Sequence, residues 1–179
     1  MRAATIALLA AIAGGCAGTP PARTFDLGVD APAQRLPVVR VAAVRSVAPF
    51  DGVEMHYRLA WRNASELAAF AHSRWAAPPA ELMRKQLLRT MGEGIAKCGL
   101  EIELQEFTQL FSAPNESEAR IEFRAALAGP KMRVAARGWS VSEANAGADA
   151  ASGAGAFARA ADRAVTEIAS WVGAQPDCR

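Results

Sequence analysis

Two histidines and three closely spaced glutamates are the side chains whose types and positions could support chemistry. His56 and His72 fall at even positions within two runs that predict strands, so both could project from one side of neighbouring strands. A zinc or similar ion would need a third conventional ligand, and no further His or Cys lies near the pair in the sequence. We therefore expect two half-exposed histidines on a sheet, and no metal site.

Glu101, Glu103 and Glu106 form the second candidate, because neighbouring carboxylates can act as general acid and general base. They alternate with apolar residues, which is typical of a strand with one solvated face. Basic residues recur in the next two predicted strands, at Arg120, Arg124, Lys131, Arg133 and Arg137. We expect these groups to form cross-strand ion pairs, and the protein to be neither an enzyme nor a cofactor carrier.

Composition and motifs exclude several other classes of protein. The 179 residues include 20 Lys and Arg against 18 Asp and Glu, a balance that does not suit a nucleic-acid binder working by bulk charge. The sequence has no GxxxxGK(S/T) loop, no GxGxxG after a strand, no GxSxG elbow and no HExxH pair. With 51% apolar and 21% charged residues, it has the composition of an ordinary folded domain.

The N-terminus predicts export. Arg2 precedes an almost wholly apolar run at residues 3–13, which is too short to span a membrane and fits a secretory signal. The run ends in Ala13-Gly14-Gly15-Cys16, and small residues directly before a Cys resemble the bacterial lipobox. A lipobox usually begins with Leu, so cleavage by the general signal peptidase, which would give a plain secreted protein, is the alternative.

Lipidation at Cys16 would divide the chain into three parts. Residues 1–15 would be the removed signal peptide, residues 16–23 a lipidated tether, and residues 24–179 a single α+β domain. Ala17 occupies the position where Asp retains enterobacterial lipoproteins in the inner membrane. We therefore expect a lipid-anchored protein on the periplasmic face of the bacterial outer membrane, held there by acyl chains such as palmitate.

Two cysteines remain after Cys16. Cys98 and Cys178 form an even pair in an oxidising compartment, and each lies just past the end of a predicted helix. A disulfide between them would tie the C-terminus to the end of the first helix. Two buried free thiols are the alternative, because the sequence does not give the distance between the two residues.

Hydrophobic periodicity predicts strands around residues 24–28, 37–47, 54–61, 66–75, 100–111, 120–127 and 132–141. The apolar residues of the fifth predicted strand change from even positions (Leu100, Ile102, Leu104) to odd positions (Phe107, Phe111) near Gln105–Glu106. This one-residue slip predicts a β-bulge there. We place Met132, Val134 and Ala136 inward, with a second slip at Gly138–Trp139. Trp61, Trp75 and Trp171 lie at or near the ends of elements, where we favour core positions.

Two long helices complete the predicted fold. The first opens at Pro78-Pro79 and stops at Gly99. Its apolar face comprises Met83, Leu87, Met91, Ile95 and Cys98. The second covers residues 157–172, and its apolar face comprises Phe157, Ala161, Val165, Ile168 and Val172. We expect an α+β fold in which a mostly antiparallel or mixed sheet of about six strands carries both helices on one face. The predicted order along the chain is three strands, a helix, three strands and a helix.

Five ordered segments resemble the ABC-type transport auxiliary lipoprotein family, which includes the lipoprotein of the Pqi system. They are Phe25-Asp26-Leu27-Gly28, Asp51-Gly52 with Met55 to Arg58, Trp75 with Pro78-Pro79 before a helix that contains Leu82 and Leu87, Leu100 to Phe107, and Trp171-Val172. The resemblance implies a non-catalytic outer-membrane lipoprotein. Its partners would be an MCE-domain protein and an ABC transporter, which together move lipids or other hydrophobic molecules across the periplasm.

Within that resemblance we predict that Tyr57, Arg58, Trp75, Pro78 and Pro79 mark a surface for the partner or for a homo-oligomer. The alternative is that these residues only fix the corner between strand and helix. Two other functions stay open: an autonomous lipoprotein that binds a hydrophobic ligand between sheet and helices, and a structural envelope assembly factor.

Overall fold

The computed structural model describes residues 21–29, 37–90, 95–129, 133–145 and 147–178. The predicted signal peptide, Cys16 and most of the tether lie outside these residues. The strands are β1 (Arg23–Phe25), β2 (Arg40–Ser46), β3 (Glu54–Leu59), β4 (Ala68–Trp75), β5 (Gly99–Ala113), β6 (Glu116–Ala128) and β7 (Arg133–Asn145). The helices are the single turn α1 (Ala60–Asn63), then α2 (Pro79–Thr90), α3 (Ala150–Gly173) and a terminal 3-10 turn (Pro176–Cys178).

The described strands form one mixed sheet, which confirms the α+β class. Their order is β1-β4-β3-β5-β6-β7, and β2 also pairs with β5. Helix α2 packs on β2, α3 packs on β6 and β7, and the two helices touch each other. They therefore form one layer and leave the opposite face of the sheet open. In the described part of the chain, no helix combines the length and hydrophobicity of a membrane span.

Strand β5 has three partners. One edge pairs antiparallel with β6, while the other edge is shared between two parallel neighbours. β2 pairs with Gly99–Leu104, and β3 pairs with Thr108–Phe111. The β5–β6 register shifts between Leu104 and Glu106, so the predicted bulge is confirmed and lies where β5 changes partner.

The second predicted slip is wrong. The β6–β7 ladder runs without a break through Arg124↔Gly138 and Phe123↔Trp139, and its shift lies at Leu127/Ala128. Ala136 is therefore exposed, while Ala135 packs against the core. Met132 lies outside the described residues, as does the side chain of Val134. Ala135, Trp139 and Val141 all lie at odd positions and on the same face of β7. Gly138 is therefore an ordinary position of the ladder.

Several element ends also differ from the prediction, and α3 begins at Ala150, ahead of the predicted start at residue 157. Helix α2 opens at the predicted prolines and buries Met83 and Leu87, but the described helix ends at Thr90. Ile95 is 97% exposed, so it has no place on a buried helix face. The strand predicted over residues 54–61 ends at Leu59, and its last residues form α1.

An aromatic cluster fills the centre of the space between sheet and helices. Phe157 on α3 stacks on Phe107 of β5 with ring centroids 4.4 Å apart, and both rings meet the edge or face of Trp75. All three side chains are buried. Helix α3 comes close enough for this stacking because most of its inward residues are small, namely Ala154, Ala156, Ala160, Ala161 and Ala164.

A disulfide bond joins Cys98 to Cys178, with the two Cα atoms 5.3 Å apart. The bond ties the residue before β5 to the turn after α3, and both side chains are buried. Because it closes a loop of 80 residues, it removes much conformational freedom from the unfolded chain.

Replacing both bridging cysteines by alanine is expected to lower the free energy of unfolding by about 4.5 kcal/mol, the chain-entropy value for a loop of this length. Urea unfolding of the purified full-length protein in mild detergent measures the change, with reduced wild-type protein as the matched control. Equal unfolding midpoints for oxidised, reduced and double-alanine proteins would contradict a stabilising bridge.

Candidate docking surfaces

The structure does not bring the five predicted interface residues together. Trp75 is 1% exposed and Pro79 is buried, so neither can contribute to an open surface. The prediction is wrong for these two residues because Trp75 lies at the end of β4 beneath α3, where it completes the aromatic cluster. Tyr57 and Arg58, as neighbours on β3, point to opposite faces of the sheet.

Arg58 lies on the helix-free face and forms a half-buried ion pair. Its Nε donates to Glu106 Oε1 over 3.0 Å, and the Thr108 hydroxyl donates to the same carboxylate oxygen over 2.6 Å. His56 shares this face, and partial burial is the main cause that lowers its pKa. The pairing of Glu106 with a basic side chain across strands agrees with the sequence analysis, although the partner is Arg58.

The rest of the helix-free face is also polar. Glu118 accepts hydrogen bonds from Arg120 at 2.6 Å and from the Ser142 hydroxyl at 3.0 Å. Glu101 and Glu103 line a shallow depression of about 480 Å³. Three arginines also line the depression, namely Arg45, Arg124 and Arg137. Among the described residues, no group of three His, Cys, Asp or Glu could hold a metal ion.

Tyr57 lies on the opposite side of β3, in an open depression of about 320 Å³ that we call the apolar notch. Its lining comprises Tyr57, Leu59, Trp61, Phe70, Phe111, Pro114 and Ala148. The Tyr57 ring centroid is 4.7 Å from that of Phe70 and 6.1 Å from that of Phe111. Trp61 is 48% exposed, so the expected core position is wrong for this tryptophan, whereas Trp75 and Trp171 are buried.

Helix α1 is the reason that Trp61 is exposed. The strand β3 stops at Leu59, and the single helical turn that follows carries the indole out to the rim of the notch. The Arg62 guanidinium lies 5.8 Å from the centre of the indole ring, a cation–π contact at the surface. The rim of the notch therefore combines a large apolar ring with a positive charge.

Buried polar contacts hold the far wall of the notch in place. Asn145 Nδ2 donates to the Gly147 carbonyl at 2.8 Å and to Ser117 Oγ at 3.1 Å. Gln109 Nε2 donates to the same hydroxyl at 2.9 Å. These bonds fasten the link between β7 and α3 to the sheet, and so they fix the position of Ala148.

The N-terminus of α3 is capped beside that wall. Asp149 Oδ1 accepts a hydrogen bond from the Ser152 backbone N–H at 2.8 Å. Hydrogen bonding to Ser152 is the main cause that lowers the pKa of Asp149, and the charge of Arg23 lowers it further. A carboxylate at this position also suits the positive end of the helix dipole.

Of the residues that line the notch, only Tyr57 is among the interface residues predicted from the sequence. The lining of the notch comes from β3, α1, β4, the end of β5, the turn between β5 and β6, and the residue before the α3 cap. Local periodicity cannot predict contacts between such distant segments. The alternating pattern of residues 54–61 does indicate that Tyr57, Leu59 and Trp61 lie on the same side of the chain.

Truncating Trp75 and Trp61 separates the buried tryptophan from the exposed one. Trp75→Ala is expected to lower the free energy of unfolding by about 3–5 kcal/mol, because it leaves a cavity among stacked rings. Trp61→Ala, its matched control, is expected to change it by no more than about 0.5 kcal/mol. Urea unfolding followed by circular dichroism measures both, and equal losses would contradict the assignment.

Comparisons with known proteins locate the fold. No family model matches the sequence, and no curated protein matches it. The structure is similar to that of protein XCC0632 from Xanthomonas campestris, described under the family model DUF330, with a TM-score of 0.71, 20% identity, and coverage of 83% of this chain and 94% of that one. A second solved structure, described as an uncharacterized protein, gives a TM-score of 0.66, 13% identity, and coverage of 85% and 99%. At these identities the likeness shows a shared fold.

Proposed function

We propose that the chain is a non-catalytic bacterial lipoprotein, anchored through Cys16 to the periplasmic face of the outer membrane. There it would serve as an auxiliary component of an MCE-type ABC transport system that moves lipids or other hydrophobic molecules. The main support for a lipid anchor is a lipobox-like cysteine a few residues ahead of a disulfide-bonded domain. Cys16 precedes Arg23, the first residue of β1, and the domain is closed by the Cys98–Cys178 bond.

The disulfide supports export independently of the signal sequence. Disulfides persist in the periplasm and at cell surfaces, whereas reducing systems keep most cytosolic thiols free. A domain with this bond therefore fits the compartment to which the N-terminal residues would deliver it.

The proposed role follows from the physics of moving a hydrophobic cargo. A lipid that leaves one membrane must be shielded from water until it reaches the other, so the conduit needs a fixed docking point at its far end. A folded domain on a short lipidated tether raises the effective concentration of that docking point near the bilayer. Support for an MCE-domain partner comes from the ordered set of segments from Phe25 to Trp171.

Replacing Cys16 by serine tests the anchor. Cys16→Ser protein is expected to carry no fatty acid by intact mass spectrometry and to be lost from the membrane fraction, since the thiol is the acceptor. Thr19→Ser is the matched control, because it alters the tether and keeps the cysteine. Wild-type protein without acyl chains, or a serine variant that still fractionates with membranes, would contradict the proposal.

The partner is tested by affinity purification of the tagged lipoprotein from detergent-solubilised envelopes of its own host. An MCE-domain protein is expected to co-purify in an amount comparable to the bait, and to be absent when an unrelated tagged lipoprotein is the bait. Recovery of acylated protein without any MCE-domain or ABC-transporter subunit would contradict the partnership. Bound lipid in the purified protein would then favour the autonomous ligand binder.

A further inference from the structure

We propose that the apolar notch and Trp61 face the bilayer that holds the N-terminus, and that the indole seats in the lipid interface and sets the orientation of the domain. This inference rests on the membrane anchoring proposed above and adds to it a contact surface on the folded domain. The occupant of the surface is the lipid headgroup region itself.

The direction of β1 shows where the chain enters the domain. β1 pairs parallel with β4, with Arg23 opposite Ser73 and Phe25 opposite Trp75. β1 thus lies beside the last residues of β4, and because the two strands run in the same direction, the chain before Arg23 leads back toward Ala68, the first residue of β4. Ala68 is the register partner of Tyr57, which lines the notch.

The α3 cap gives a second indication of the same arrangement. The charge of Arg23 contributes to the lowered pKa of Asp149, after the larger effect of hydrogen bonding to Ser152. Asp149 directly follows Ala148, a lining residue of the notch. Arg23, the first residue of β1, is therefore near enough to the far wall of the notch for its charge to act there.

The tether is short compared with the domain. From Cys16 to the first described residue, Pro21, an extended chain reaches at most about 17 Å. A domain of this size is on the order of 40 Å across. A bilayer anchored at Cys16 is therefore held against the end of the domain at which the chain enters, and the opposite end is kept away from it.

The exposed groups at this end suit a membrane interface. Trp61 presents an indole, whose apolar body and polar N–H favour the headgroup level of a bilayer. Arg62 lies against that ring, and Arg23 is exposed on β1. Among the described residues, Glu66, Glu116 and Asp149 are exposed acidic residues on segments next to those that line the notch. Because the charges nearly balance, we expect the contact to depend on the apolar ring and little on anionic lipid.

Fluorescence quenching by brominated lipid tests the contact. The acylated protein is reconstituted into phosphatidylcholine vesicles whose acyl chains carry bromine near the headgroups. Wild-type tryptophan fluorescence is expected to be quenched, and Trp61→Phe is expected to lose most of that quenching. Trp139→Phe is the matched control and should retain it, since Trp139 is half-buried on β7, away from the notch. Adding phosphatidylglycerol should change the result little.

A second arm separates failure of this inference from failure of the proposed anchor. The mature chain, with a histidine tag in place of Cys16, is held on vesicles by nickel-chelating lipid, so that lipidation is not needed. Loss of quenching on Trp61→Phe in this arm supports the contact even if the natural protein carries no acyl chain. Vesicle-bound wild-type protein that shows no quenching overturns it. Equal quenching in wild-type and Trp61→Phe, or a dimer in which a second copy shields Trp61, overturns it too.

Discussion

Both edges of β5 are paired, and its inward side chains lie at the centre of the core. One edge carries β6 along nearly its whole length, and the other carries β2 and then β3. Leu100, Ile102 and Leu104 are buried before the bulge, and Phe107 is buried after it. β2, β3 and β6 pair with β5 directly, β4 and β7 join the sheet through β3 and β6, and β1 joins through β4, so the sheet is built outward from this strand.

The bulge between Leu104 and Glu106 connects that pairing to the packing of α3. Without the extra residue, Phe107 would point to the helix-free face, because a one-residue slip reverses every later side chain. With it, Phe107 stacks on Phe157 and contacts Trp75. The same slip brings Glu106 to the polar face beside Arg58, and it leaves the end of β5 to form one wall of the apolar notch.

The features that could be predicted from the sequence are those with a local cause. The alternation and bulge of β5, the helix start at Pro79 and the long helix around Phe157 each follow from residues within a few positions of one another. The end of α2 could not be predicted, because the apolar spacing continues to Ile95 although that side chain is exposed. The parallel neighbours of β5, the burial of Trp75 and the lining around Trp61 depend on contacts between distant segments, which periodicity does not encode.

A domain that keeps one orientation at a membrane must be rigid. We expect β5 to be the most stable strand of this domain, because both of its edges are paired. Native-state hydrogen exchange of backbone amides measures this stability directly. We predict that the β5 amides paired with β6 and β2 exchange most slowly, at the rate of global unfolding, while the β1–β4 edge exchanges faster through local opening. β5 amides that exchange as fast as those of β1 would contradict the account.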